Sequence, residues 1–117
     1  MAYMLLVVEP SGQRSTRTET EGREAYASMV RFSEQLKDRG LLTTSQSLKS
    51  DAAGARVRVR GESAMVTDGP FAETKEVIGG FFLLTCETRE QAVEIARQCP
   101  AAQWATIEVR ELGPCFA

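Results

Sequence analysis

The sequence predicts an α+β domain of the ferredoxin-like type, in which two helices cover one face of an antiparallel four-stranded sheet. Three observations predict this class. Two segments, 2–8 and 79–86, are apolar at odd and even positions alike, as in central strands. Other strand-like segments alternate in polarity, as at sheet edges, and the overall order is β-α-β-β-α-β. A β-hairpin is predicted as an addition to this core layout.

The first half of the chain supplies a central strand and the longer helix. The strand is predicted at 2–8, and the polar residues 9–20, which include one proline and one glycine, are predicted to form an exposed connection. The helix is predicted at 21–39 and ends before Gly40. Its apolar face consists of residues spaced by four, three and four: Ala25, Met29, Phe32 and Leu36.

The remaining predicted elements are a strand at 41–49, a hairpin at 56–60 and 63–67, a central strand at 79–86, a helix between Thr88 and Pro100, and a half-buried strand at 104–112. In the hairpin, RVRVR alternates strictly and Gly61-Glu62 has the composition of a two-residue turn. The three arginines share one face, where they could bind an anion or protect an exposed edge against aggregation. Thr88 and Gln91 have capping-box spacing.

Composition limits the classes of function. The 117 residues, 43% of them hydrophobic, suit one domain, 1–117, with a single core. A net charge of −2, with acids and bases mixed, disfavours a direct nucleic-acid partner. The apolar start at 1–8 is too short to span a bilayer and lacks signal-peptide features, so no membrane partner is expected. Three cysteines without Cys-x-x-Cys spacing indicate a reducing, cytoplasmic setting.

The sequence contains no histidine. It therefore lacks the commonest transition-metal ligand, the usual proton shuttle near neutral pH and the base of Ser/His or Cys/His catalysis. A classical zinc site and a haem site with a proximal histidine are both disfavoured. No cofactor and no metal ion are predicted, although a carboxylate-bound divalent ion is compatible with the composition.

The predicted fold has a consequence for assembly. Two helices cover only one face of a four-stranded sheet, yet both central strands are apolar on both faces. A monomer would leave a large apolar patch on the second face. We therefore expect a homodimer in which two copies pack sheet against sheet.

The most distinctive stretch is MVTDGPFAETKE at 65–76, followed by GGF at 79–81. Together with YMLL at 3–6, CPAA at 99–102 and IEVR at 107–110, it resembles the YCII-related family, specifically its DGPF-domain branch. The resemblance covers nearly the whole chain, and the central stretch is its most specific part. It implies a dimeric α+β barrel, in agreement with the pattern of strands and helices.

The resemblance implies no single settled activity. Family members look like small enzymes with a pocket between sheet and helix, or like accessory proteins whose genes often lie beside extracytoplasmic-function sigma factors. In other YCII-like proteins a histidine and an aspartate are suspected of forming a catalytic pair. This sequence has no histidine, so that chemistry does not carry over.

Asp68 is the candidate catalytic residue. At the end of a predicted strand, its carboxylate could act as a general acid or base, or orient a ligand, if partial burial raised its pKa. The alternative is a structural role, since Asp before Gly commonly accepts backbone N–H bonds in a turn. Gly69 and Pro70 are interpreted as residues that set the shape of the backbone. Phe71 is interpreted as either a core residue or a stacking platform.

The charged residues after this segment extend the candidate site. Glu73 and Lys75 could lie beside Asp68 and support proton transfer on a small polar substrate, with Lys75 holding an anion. Alternatively, they and Glu76 form a solvated charged loop. Tyr3 could offer its phenol to the pocket or be an amphipathic core residue. The predicted ligand-binding set is Tyr3, Asp68, Phe71, Glu73 and Lys75.

Two functions from different classes follow. The first is a protein that binds a small polar molecule near Asp68, with or without acid/base enzymatic activity. The second is a non-catalytic accessory or regulatory dimer that acts with a sigma factor. The sequence alone does not decide whether the protein is an enzyme.

Overall fold

The structure is a computed structural model that describes residues 2–71 and 73–116. Met1 and Ala117, the ends of the predicted domain, and Ala72 of the 65–76 motif lie outside the described residues. The strands and helices are β1 (Tyr3–Pro10), α1 (Glu19–Asp38), β2 (Leu42–Ser47), β3 (Ala55–Arg60), β4 (Ser63–Asp68), β5 (Glu76–Leu84), α2 (Arg89–Gln98) and β6 (Thr106–Glu111). Short 3-10 turns occupy Gln13–Thr16, Asp51–Ala53 and Pro100–Gln103.

The main sheet has the strand order β2-β5-β1-β6, and every neighbouring pair is antiparallel. The predicted ferredoxin-like α+β fold is therefore confirmed. The two segments predicted as central strands, because both their faces are apolar, form β1 and β5 at the centre. β3 and β4 pair only with each other, as the predicted hairpin.

The core lies between the helices and one face of this sheet. Alternate residues of β1 point inward, beginning with Tyr3 and Leu5, and all are buried. Phe32 of α1 meets Phe82 of β5 edge to face, with ring centroids 5.4 Å apart. The largest fully buried side chains are Leu5, Leu36, Leu84, Ile95, Cys86 and Cys99.

α1 begins two residues earlier than predicted because its start is fixed by a capping box. The Thr18 hydroxyl accepts from the Glu21 backbone N–H, while the Glu21 carboxylate accepts from the Thr18 backbone N–H. The predicted end is close to the observed one. Gly40 follows the last turn with a φ of 71°, a conformation that glycine adopts without strain.

In the part of the chain that the structure describes, no helix covers the opposite face of the sheet. Strand alternation places Met4, Leu6, Phe81 and Leu83 on this face, and all four are partly exposed. Charged residues of the edge strand β6, Glu108 and Arg110, flank them on one side. Within the described residues, no helix is long and apolar enough to cross a membrane.

The hairpin Ala55–Asp68, called the arm below, stands apart from the main sheet. Every residue of its two strands is exposed. The chain has a radius of gyration of 15.9 Å, larger than the roughly 13 Å expected for a compact chain of this length. Its extents are 47 × 42 × 19 Å, so the molecule is a thin slab.

Candidate functional site

The segment predicted as an exposed connection, 9–20, begins with the most buried charge in the described structure. Glu9 continues the inward alternation of β1 after Val7 and is only 5% exposed. The prediction of an exposed loop is wrong at this position because β1 extends to Pro10. A buried carboxylate needs a partner in the fold, since burial without one is costly.

Arg14 supplies that partner. Its Nη2 lies 2.8 Å from Glu9 Oε1. The same guanidinium donates from Nη1 to the carbonyl of Leu48 at 2.6 Å and from Nη2 to the carbonyl of Gly79 at 3.1 Å. Arg14 thereby ties the segment after β1 to the end of β2 and to Gly79 within β5. The planar guanidinium allows these contacts at the same time.

Gly79 makes room for this ion pair. The register between β1 and β5 shifts at Val7/Val8, so that Gly79 has no partner on β1 and forms a bulge. A Cβ on Gly79 would collide with the Glu9 carboxylate and the Arg14 guanidinium. A Cβ on the next residue, Gly80, would lie 2.8 Å from the carbonyl oxygen of Gln46. Gly80 is therefore required by the approach of backbone, whereas a Cβ on Gly79 would displace the two side chains of the ion pair.

Beside the ion pair, a cavity of about 520 Å³ opens between α1 and the sheet. This volume is in the range of small-molecule sites. Its apolar walls come from β1, α1, β5 and the turn before β6: Val7, Ala25, Met29, Val30, Phe82 and Trp104. Its polar groups are those of Glu9, Arg14, Arg17, Thr18, Tyr26, Ser33 and Ser45.

Two acidic and two basic side chains line the cavity, namely Glu9, Glu19, Arg14 and Arg17. Glu9 is paired with Arg14, and Glu19 is paired with Arg23 at 2.8 Å. Arg17 forms no ion pair within the part of the chain that the structure describes. Its Nη2 donates to Gln13 Oε1 at 3.2 Å, and its guanidinium lies 5.5 Å from the centre of the Trp104 ring. The cavity thus has a positively charged side backed by an aromatic ring.

The N-terminus of α1 also borders the cavity, through Thr18, Glu19 and Gly22. The two carboxylates of its first turn, Glu19 and Glu21, offset the positive end of the helix dipole. The backbone N–H of Thr18 that bonds the Glu21 carboxylate lowers the pKa of that group.

Burial raises the pKa of the Cys86 and Cys99 thiols, which disfavours the reactive thiolate form in both.

The predicted site residues do not line this cavity. Tyr3 is buried in the core, and burial raises the pKa of its phenol. It lies six residues along β1 from Glu9, which corresponds to about 20 Å in a strand. Asp68, Glu73 and Lys75 are exposed. Their roles in binding or catalysis stay predictions.

The DGPF segment instead forms the base of the arm. Gly69 donates its backbone N–H to the carbonyl of Gly54 at 2.8 Å, and the backbone N–H of Phe71 donates to Asp51 Oδ2 at 3.0 Å. A Cβ on Gly69 would overlap the backbone carbonyl of Asp51. The Gly69-Pro70 peptide bond is cis. The close approach of the Asp51 carbonyl agrees with the interpretation of Gly69 as a residue that sets the shape of the backbone.

Phe71 is half-buried and is not part of the hydrophobic core, so its interpretation as a core residue is wrong. The guanidinium of Arg56 lies 4.0 Å from the centre of its ring, and Arg56 also donates to Thr74 Oγ1 at 3.0 Å. Phe71 does serve as a stacking platform, but for a side chain of the arm. The carboxylate that accepts a backbone N–H here is Asp51 rather than Asp68.

Sequence reasoning missed Glu9, Arg14 and Arg17. One signal for Glu9 was available, since the inward positions of β1 recur every two residues and the ninth residue continues that series. A buried glutamate in turn calls for a nearby cation, and Arg14 and Arg17 are the first cations along the chain. The distance between Glu9 and Gly79 depends on strand register, which the sequence alone does not give.

The fold and the cavity define the class of protein: a small two-layer α+β domain with a cavity between helix and sheet. The YCII-related domain model matches residues 1–115. The chain belongs to the YCII-related family. It is also 30% identical over 115 residues to an uncharacterized protein of Rhizobium meliloti (strain 1021), a match that covers 97% of this chain and 93% of that protein.

Proposed function

We propose that this protein binds a small organic acid in the cavity between α1 and the sheet. The single observation that supports the proposal is the Arg17 guanidinium on the cavity wall, which forms no ion pair among the described residues. A carboxylate is the natural partner for a guanidinium, because the two can form two parallel hydrogen bonds. The apolar walls suit a ligand with a hydrocarbon or aromatic body.

The same geometry favours binding over catalysis. Among the described residues, Glu9 is the one buried carboxylate of the cavity, and it already has Arg14 at 2.8 Å. A general base must reach the proton that it removes, and here an ion pair occupies the carboxylate. In this proposal Glu9 is a positioning residue, which fixes Arg14 and through it the end of β2 and Gly79 of β5.

In this proposal the functional form of the protein is a homodimer, whose two copies pack through the helix-free faces of their sheets. Its support is the partly exposed apolar set on that face: Met4, Leu6, Phe81 and Leu83. A cytoplasmic location and a sigma-factor partner stay predictions from the sequence.

The test is a thermal-shift and calorimetric screen of monocarboxylates with apolar bodies, namely hexanoate, benzoate, phenylacetate and indole-3-acetate. We expect at least one to raise the melting temperature and to bind wild-type protein. Arg17→Gln should weaken that binding about 10- to 100-fold, which corresponds to the 1.5–3 kcal/mol typical of a hydrogen bond to a charged group. The matched control is Arg31→Gln, an exposed α1 arginine outside the cavity lining, which should retain wild-type affinity.

Asp68→Asn separates the two site hypotheses. If the cavity is the binding site, this variant keeps the ligand-induced shift while Arg17→Gln loses it. The reverse pattern would overturn the cavity proposal and place the site at the arm base. Absence of any carboxylate binding, together with a stable protein complex in co-purification, would favour the accessory function.

A further inference from the structure

We infer that the arm packs its valine face against a second copy of this chain and is part of the dimer interface. The inference rests on the homodimer proposed above but concerns a separate surface. In the described structure the arm is a separate two-stranded sheet, and all twelve of its strand residues are exposed. A two-stranded hairpin with both faces in water is only marginally stable.

The two faces of the arm differ in chemistry. The register pairs Val57 with Val66 and Val59 with Ala64, so these four side chains share one face. The valines are 58–65% exposed. The opposite face carries the three arginines of β3: Arg56, Arg58 and Arg60. A strand pair with one apolar and one charged face is typical of a sheet that is covered on one side.

The base of the arm fixes its direction. Asp51 and Gly54 hold the backbone of the DGPF segment, and Arg56 stacks on Phe71. The described chain is only 19 Å thick along its shortest axis, so the arm extends within the plane of the slab. In this position the arm does not reach back over its own sheet, and the valine face requires a surface from another molecule.

Interface area identifies that molecule as a second copy. Four strands about 4.8 Å apart and about 20 Å long give a sheet face of about 400 Å², so a sheet-to-sheet dimer buries about 800 Å² in total. That total is below the roughly 1,200–2,000 Å² of stable interfaces. Each arm presents about 200 Å² and covers a similar area on its partner, so two arms raise the total to about 1,600 Å².

The test compares Val66→Lys with Met65→Lys. These neighbours are 63% and 62% exposed, respectively, and lie on opposite faces of the same strand. We expect Val66→Lys to weaken self-association at least tenfold in sedimentation velocity over a concentration series, and Met65→Lys to change it less than threefold. Leu83→Lys, on the helix-free sheet face, reports on the proposed dimer independently of the arm.

Each outcome has a distinct meaning. If the wild-type protein is a monomer at every concentration, both the dimer and the arm inference fail. If it dimerises and Val66→Lys dimerises equally well, only the arm inference fails. If Val66→Lys weakens association and Leu83→Lys does not, the arm inference holds and the sheet-face dimer is wrong.

A second measurement avoids dependence on how the variants fold. Hydrogen exchange on the wild-type chain at low and high concentration should show arm amides that gain protection as the protein associates. Arm amides with the same exchange rate at both concentrations, in a sample that dimerises, would overturn the inference.

Discussion

The cavity end of the sheet and the base of the arm both use a carboxylate to hold a neighbouring segment, but they do so with different partners. Glu9 binds a charged side chain, Arg14, next to open space. Asp51 accepts a hydrogen bond from a backbone N–H, that of Phe71, twenty residues further along the chain. The difference indicates where a ligand can be accommodated, because only the cavity end combines polar side chains with unfilled volume.

The first prediction concerns the tightest backbone approach at the arm base. Gly69→Ala places a Cβ on the backbone carbonyl of Asp51, which cannot rotate away as a side chain can. We expect the arm to lose about 3 kcal/mol of local stability, the upper end of overpacking effects. This appears as roughly 100-fold faster hydrogen exchange in the arm. Gly113→Ala, with open space around it, is the control. Unchanged arm protection in Gly69→Ala would show that the turn adapts.

The second prediction concerns the cavity end. Glu9→Gln removes the charge that Arg14 faces and should reduce the free energy of unfolding of the whole chain by about 2 kcal/mol. This is less than the 3–5 kcal/mol of fully buried pairs, because the Arg14 side chain is 35% exposed. Urea unfolding measures the effect. Glu108→Gln breaks a surface pair and should cost at most about 0.5 kcal/mol. Equal effects in the two variants would mean that the burial of Glu9 contributes nothing.

The sequence predicted the fold because the fold depends on local periodicity. Residues such as Phe32 and Leu36 recur on one helical face, and the apolar residues of β1 identify it as central. The cavity depends instead on register: Gly79 meets Glu9 only because a bulge shifts β5 by one residue. The DGPF segment was distinctive in sequence, but its structural role involves Asp51, seventeen residues before Asp68, which no local pattern connects to it.

The third prediction tests whether the arm base acts only locally. Arg56→Gln removes the stacking on Phe71 and the hydrogen bond to Thr74, and should destabilise the arm by about 1 kcal/mol. We expect about fivefold faster exchange in the arm with no change in the melting temperature of the main sheet. Arg58→Gln, on the same face of the same strand, is the matched control and should leave the exchange unchanged. A lower melting temperature in Arg56→Gln would contradict the separation between arm and sheet.

The last prediction is the smallest and concerns pH at the N-terminus of α1, where the cavity begins. The Glu21 carboxylate accepts the backbone N–H of Thr18, and this bond lowers the pKa of Glu21 below its ordinary value. A group with a lowered pKa in the folded state stabilises the protein above its unfolded pKa, and this contribution disappears as pH falls through the folded pKa. Glu21→Gln keeps an acceptor at this position but does not titrate. We therefore expect the variant to lose less stability than the wild type between pH 6 and pH 3, as measured by thermal unfolding. Glu24→Gln, on the same helix but outside the capping box, should follow the wild-type pH dependence. If Glu21→Gln and the wild type lose stability in parallel, the capping box does not contribute to acid sensitivity, and the start of α1 depends on Thr18 alone.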